Sequence, residues 1–367
     1  MKKNILVVDD SALMRRVICD IINSDNRFQA IDTCRDGLHA YETLKSNQYD
    51  AVLLDVYMPR MDGLQLLERI QSEHMNVTVV VVSTLTTEGA SVTMRAMELG
   101  AVDFVTKPEN IIEAKGQDFH KRIIDMLVAV LRMDERPSAR TSAVREKGRV
   151  APSAMLAPKP SGLPRHRKPA PQKTANRIVA LACSTGGPKS LHSVIPKLDP
   201  RMDAPMVLVQ HMPIGFTKSL AERLNDLSKV TVKEAEEGEV LEKGVVYIAP
   251  GGKHLEVVCG AGGIHKVHLN DAPAIGGLKP CANIMYQSLK NSRYDEIVCV
   301  VMTGMGADGT AGIEALDKSK PIHVIAQNAQ TCVVYGMPRA IAEAGLADEV
   351  VPLESIASTI IKNVGVK

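Results

Sequence analysis

Three carboxylates, two hydroxyls and an amine stand at matching places in the first third of the chain. Asp9-Asp10 follows the apolar run at residues 5–8, Asp55 the run at 51–54, Ser83-Thr84 the run at 77–82, and Lys107-Pro108 the run at 103–105. If each run is a parallel strand, these groups meet at one sheet edge, where chemistry collects in such sheets. Clustered carboxylates repel unless a cation neutralises them, and hard oxygen ligands favour Mg2+. Asp55 is placed to attack phosphorus and become an acyl phosphate. Lys107 would hold a phosphoryl oxygen as a point charge, and Ser83 or Thr84 would bond the same phosphate and draw its loop inward. One acid at a strand end ordinarily caps a helix and faces water; four coincident strand ends are a different matter.

A second constellation lies beyond residue 176. The run 178–182 leads into Cys183-Ser184-Thr185-Gly186-Gly187-Pro188, a sharp turn that would expose a hydroxyl beside free backbone N–H groups. The run 206–209 leads into Gln210-His211-Met212-Pro213, and the run 297–302 into Thr303-Gly304-Met305-Gly306-Ala307-Asp308-Gly309. Taken singly, the glycine turn reads equally as a phosphate contact or a plain tight turn, the histidine as structural, and the aspartate as a turn residue. Together Ser184, His211 and Asp308 supply nucleophile, base and orienter. Their order in the chain differs from the Ser–Asp–His order of the common α/β-hydrolases, which geometry permits. Cys183, next to the serine, offers a thiol as an alternative nucleophile.

The elements that must position these groups follow from hydrophobic patterning. In the first third, runs at 5–8, 30–34, 51–54, 77–82 and 103–105 alternate with helical stretches; Leu13, Met14, Val17, Ile18, Ile21 and Ile22 keep one helical face behind Ser11 as N-cap. Uninterrupted apolar strands predict a parallel sheet covered on both faces. After residue 176 the alternation resumes at 178–182, 206–209, 245–249, 297–302 and 323–326. The expectation is an α/β protein of two domains, an N-terminal flavodoxin-like (βα)5 unit at 1–133 and a doubly wound, mostly parallel α/β hydrolytic unit at 176–367. Between them, 134–175 should be a flexible linker. Its stretch 137–173 carries nine Lys/Arg, one acid and seven prolines without an aromatic residue, too little apolar surface to offset ordering entropy.

Composition narrows the classes further. A chain of 367 residues with 45% hydrophobic and 23% charged residues reads as soluble and globular, and with 3% aromatics its cores must be aliphatic. The net charge of +2 becomes −6 once the +8 of the tether is removed, so the basic balance says little of the domains. No apolar run reaches the roughly 20 residues of a membrane span. Charge close to the N-terminus argues against a signal peptide, so the expected location is the cytoplasm, without membrane insertion or nucleic-acid binding. Seven scattered cysteines lack metal-ligand spacing and read as reduced thiols.

The first third resembles the response-regulator receiver domain, through Val-Asp-Asp-Ser, Leu-Leu-Asp-Val-Tyr-Met-Pro-Arg-Met-Asp-Gly and Asp-Phe-Val-Thr-Lys-Pro. The resemblance implies that Asp10, Asp55 and the Tyr57 carbonyl hold Mg2+, with Asp9 in the acidic pocket, and that a histidine kinase phosphorylates Asp55. It implies Ser83 as the switch hydroxyl, with Thr84 adjacent, and Phe104 as the aromatic switch. Residues 176–365 resemble the catalytic domain of the chemotaxis protein-glutamate methylesterases, through Ser-Thr-Gly-Gly, Gln-His-Met-Pro-Ile-Gly-Phe-Thr, Tyr-Ile-Ala-Pro-Gly, Met-Thr-Gly-Met-Gly-Ala-Asp-Gly and Val-Val-Tyr-Gly-Met-Pro.

That resemblance implies Ser184 as nucleophile, His211 as base and Asp308 as orienter. The Met305 N–H becomes an oxyanion donor, the Thr185–Gly187 turn the floor of the site, and Cys183 a packed neighbour. It also implies hydrolysis of glutamate γ-methyl esters on chemoreceptor helices, deamidation of particular glutamines, no cofactor in the catalytic half, a chemotaxis histidine kinase as phosphodonor, and a monomer. Lys279-Pro280-Cys281-Ala282-Asn283 and Ala329-Gln330 depart from the family pattern, and substrate fit or loop stability is where an effect is expected. The competing readings are a DNA-binding output domain, a non-catalytic nucleotide scaffold, and the same chemistry on a protein outside chemotaxis.

Overall fold

The computed structural model describes residues 2–108, 110–114, 116–133 and 175–367. The first unit has strands β1 (Lys3–Val8), β2 (Phe28–Cys34), β3 (Ala51–Asp55), β4 (Thr78–Ser83) and β5 (Asp103–Thr106). They form one sheet in the order β2-β1-β3-β4-β5, every pair parallel. This is the flavodoxin-like order, with its switch point between β1 and β3. Helices α1 (Ala12–Ser24), α2 (Gly37–Ser46), α3 (Gly63–Ser72), α4 (Thr87–Glu98), α5 (Ile111–Ala114) and α6 (Gln117–Val130) complete it.

Ser11 caps α1 by accepting the Met14 N–H at 3.3 Å, and the helix buries Val17, Ile18, Ile21 and Ile22. At α3, Asp62 and Gln65 form a reciprocal capping box, which satisfies two donors that a helix start leaves free.

The second unit is a seven-stranded sheet, in the order β14-β13-β12-β6-β7-β9-β8 and parallel throughout. Its strands are β6 (Arg177–Cys183), β7 (Met206–Gln210), β8 (Thr231–Glu234), β9 (Val245–Ile248), β12 (Glu296–Val301), β13 (Ile322–Gln327) and β14 (Glu349–Val351). An antiparallel hairpin of β10 (His254–Cys259) and β11 (His265–Asn270) lies apart from the sheet. Helices α7 (Gly187–Val194), α8 (Phe216–Leu227), α9 (Ala282–Ser288), α10 (Thr310–Asp317), α11 (Met337–Glu343) and α12 (Leu353–Val364) connect the strands.

The expected parallel α/β architecture is present in both halves, and the fully buried strands β3, β6 and β7 are the continuous apolar runs of the sequence. Four strands were not anticipated. β8 has one fully buried residue, β14 has none, and the β10–β11 hairpin mixes buried with exposed positions. None offers the uninterrupted apolar run that marks a central strand. The expected tether, 134–175, lies outside the described residues but for its last residue. Among those that are described, all seven cysteines are free.

The two units touch. Helix α4 of the first packs against α7 and α8 of the second, and β5 approaches α7.

Candidate active site and phosphate-accepting pocket

The end of β6 and the start of α7 build the turn that carries Ser184. Gly186 adopts φ +75° and ends the turn as the N-cap of α7, while Gly187 N–H closes it on the Ser184 carbonyl at 2.7 Å. Ser184 itself donates its N–H to the Thr303 carbonyl at 3.0 Å. The loop after β12 therefore presses directly on the serine. A Cβ at Gly304 would come within 2.8 Å of Ser184 Cβ, so only glycine fits there.

His211 follows β7, and its Nε2 lies 2.8 Å from Asp308 Oδ2. With Nε2 occupied, Nδ1 is the ring atom free to serve as base. Asp308 is held from four further directions: by the N–H groups of Ala282 (2.7 Å), Asn283 (3.0 Å) and Gly309 (2.9 Å), and by the Cys281 thiol (3.2 Å). Burial pushes its carboxyl up, but His211 and the Ala282 and Asn283 N–H groups outweigh that and leave it at about 2. It is an anion at any working pH, suited to orienting an imidazole and stabilising its protonated form.

The Asn283 side chain accepts from Gly309 N–H at 3.1 Å and Gly312 N–H at 2.7 Å, locking the loop that carries Asp308 to the start of α10. Cys281 and Asn283 thus touch the acid of the constellation, where the sequence marks them only as departures from the family pattern.

Ser184 and His211 both face one cavity of about 270 Å3, with Thr185, Pro213 and Met305. No hydrogen bond joins the Ser184 hydroxyl to His211 among the described residues. Cys183 points the other way: it is fully buried, donates to Gln210 Oε1 at 3.0 Å, and burial drives its thiol far above the ordinary range. A thiol that keeps its proton is a poor nucleophile.

In the first unit, Asp9, Asp10 and Asp55 bring carboxylate oxygens within 4.8 Å of one another. Lys107 Nζ lies 2.7 Å from both Asp9 and Asp55. Burial raises the Asp55 carboxyl, Lys107 lowers it, and the balance is about 6. Two buried acids and an exposed third with one ammonium leave excess negative charge, and the all-oxygen donor set fits a hard divalent cation such as Mg2+. The Tyr57 side chain is partly exposed beside this pocket. At the end of β4 the Ser83 hydroxyl is buried and donates to the Gly89 carbonyl at 3.3 Å, while Thr84, one step on, is half-buried and 3.3 Å from the Thr86 hydroxyl.

The first unit also reaches the cavity that Ser184 and His211 line. Asp103 Oδ2 accepts the Gly186 N–H at 2.9 Å, inside the turn that carries Ser184. Burial raises Asp103 to about 7 despite that bond and one from Phe104 N–H. Phe104 stacks on Phe216, ring centroids 4.6 Å apart at 7°. Glu98 pairs with Arg223 (Nη2–Oε2 2.9 Å), Lys189 donates to the Gly100 carbonyl at 3.3 Å, and Arg132 to the Cys332 carbonyl at 2.7 Å. Asp103, Phe104 and Thr106 line the same cavity as Ser184.

Comparison with known proteins bears on both halves. The CheB methylesterase family matches residues 179–360, and the response regulator receiver domain matches residues 5–115. The chain is 45% identical over 361 residues to a protein-glutamate methylesterase/protein-glutamine glutaminase of Geobacillus kaustophilus, covering 98% of each. To the Bacillus subtilis protein of the same name it is 40% identical over 357 residues, covering 97% of each. The crystal structure of the Thermotoga maritima CheB methylesterase catalytic domain, 42% identical, aligns with 52% of this chain and 99% of that one at a TM-score of 0.49.

Proposed function

We propose, since the chain belongs to the CheB methylesterase family and carries a response regulator receiver domain ahead of its hydrolytic half, that it is a phosphorylation-controlled protein-glutamate methylesterase and protein-glutamine glutaminase of chemotaxis. The substrate is a γ-methyl glutamate, or a glutamine, on a receptor helix, and the phosphodonor is a histidine kinase. Seven free cysteines suit a reducing cytoplasm.

In the proposed reaction Ser184 Oγ attacks the γ-carbonyl while His211 Nδ1 takes its proton. Asp308 holds the ring and balances the imidazolium. Backbone N–H groups of the Thr185–Gly186 turn and Met305 face the developing oxyanion. His211 then protonates the departing methoxide, or amide nitrogen, releasing methanol or ammonia. Water, deprotonated by the same imidazole, then attacks the acyl-serine; the imidazolium returns that proton to the departing Ser184 Oγ, and the receptor's side chain leaves as a glutamate carboxylate. One acyl intermediate serves both reactions. The single observation that carries this reading is the 2.8 Å His211–Asp308 bond beside a serine on the same cavity.

Control is proposed to run through five consecutive residues. Lys107 sits on Asp55, while Asp103 and Phe104, about 10–13 Å back along the same extended segment, sit on the Ser184 turn and Phe216. In the unphosphorylated chain they cover Ser184 and engage the Gly186 N–H. Asp10 and Asp55, the Tyr57 carbonyl and nearby Asp9 would hold Mg2+, whose charge screens the incoming phosphoryl group. A phosphate on Asp55 would draw on Lys107 and on the Ser83 or Thr84 hydroxyl, and β5 would shift with them.

The test is methanol release from methylated receptor by wild type and Ser184→Ala. Release should vanish with the hydroxyl, and a Ser184→Ala protein that keeps its activity would overturn the mechanism.

A further inference from the structure

Gln210, the last residue of β7, is 2% exposed, and the reaction as written gives it no part. Yet its carboxamide is fully engaged. One nitrogen, Nε2, donates to the Ser184 carbonyl at 3.1 Å and to the His211 carbonyl at 3.2 Å. Its Oε1 accepts from the Cys183 thiol. Burying a primary amide is costly unless each polar atom finds a partner, and an apolar side chain of equal length would fill the same space without that demand.

The surroundings are cut to admit this amide. A Cβ at Gly187 would collide with Gln210 Oε1, so the second glycine of the turn keeps the carboxamide's place open. The strand ladder ends one step short of the chemistry. β6 and β7 pair as far as Cys183 and Gln210, and His211 N–H still reaches the Cys183 carbonyl at 3.2 Å. Beyond that pair, nucleophile and base diverge onto separate loops with no hydrogen bond between their side chains. A planar amide with two N–H bonds at a fixed angle ties the two carbonyls past the end of the ladder.

We infer that Gln210 is a positioning residue for the hydrolysis: its Nε2 bridges the Ser184 and His211 carbonyls and sets the approach of hydroxyl to imidazole. The inference rests on the reading of Ser184 and His211 as nucleophile and base.

Two variants of the full-length protein test it. Gln210→Glu keeps the shape but cannot supply two N–H donors, and Gln210→Met keeps the length without any. Each should lower kcat for methanol release about 10- to 100-fold, the scale of a misplacement near 1 Å, with KM within about twofold. Either one that stays folded by its thermal transition serves. In a His211→Ala background, where no base remains to be aligned, the same substitution should change the residual rate less than about twofold. An undiminished kcat, or an equal loss in both backgrounds, would overturn the inference. Failure of the underlying reading is separate, because it appears as activity surviving in Ser184→Ala.

Discussion

Asp308 shows how much one side chain can be asked to hold. Five donors converge on it, and its carboxyl falls from the ordinary 3.8 to about 2. A lowered acid adds stability that is fully present above the unfolded value and disappears as pH falls through the folded one. That stability should therefore be lost between about pH 4 and pH 2, and the drop corresponds to about 2 kcal/mol. Acid titration of the unfolding free energy should show about that much extra loss in wild type relative to Asp308→Asn over this window. The variant should also lose methanol release by about three to four orders of magnitude at neutral pH, since its amide favours the wrong imidazole tautomer. Any acid limb of activity near neutrality then belongs to a group other than Asp308. Asp55, Ser184, His211 and Asp308 stand out as candidates in the sequence because each comes within two residues of the end of an apolar run or lies in the glycine-rich loop after one. The contacts of Cys281 and Asn283 with Asp308, of Gln210 with Ser184 and of Asp103 with Gly186 do not, because they join segments distant in the chain: 27 residues from Cys281 to Asp308, 26 from Gln210 to Ser184, and 83 from Asp103 to Gly186.

At the scale of elements, the hydrolytic site depends on loops pressed together at the ends of β6, β7 and β12. Gly304 lies where the third loop backs onto the first, and its added Cβ would meet both Ser184 and the Met337 thioether. Gly304→Ala should lower kcat by about tenfold or more through displacement of Ser184, and cost about 1–3 kcal/mol from overpacking. Initial rates and denaturant titration read the two effects separately. The parallel strands that carry these loops were legible because burial on both faces demands unbroken apolar runs. The edge strands β8 and β14 and the β10–β11 hairpin were not, since half-exposed strands mix polar with apolar residues and their identity comes from pairing partners.

Across the whole molecule, the receiver and the hydrolase share one cavity, and the receiver puts a buried carboxylate and an aromatic ring into it. Removing the ring in Phe104→Ala gives up the stack on Phe216. The closed arrangement should weaken by about 1 kcal/mol, and methanol release without any phosphodonor should rise about threefold or more. Such coupling between halves cannot be read from either half's motifs, because it lies in the docking of two surfaces. The sharpest measurement is the ratio of methanol-release rates with and without a small phosphodonor, in wild type and in Asp55→Asn. If phosphorylation at Asp55 opens the site, the ratio should be well above one for wild type and one for the variant. Equal ratios in the two proteins would contradict it.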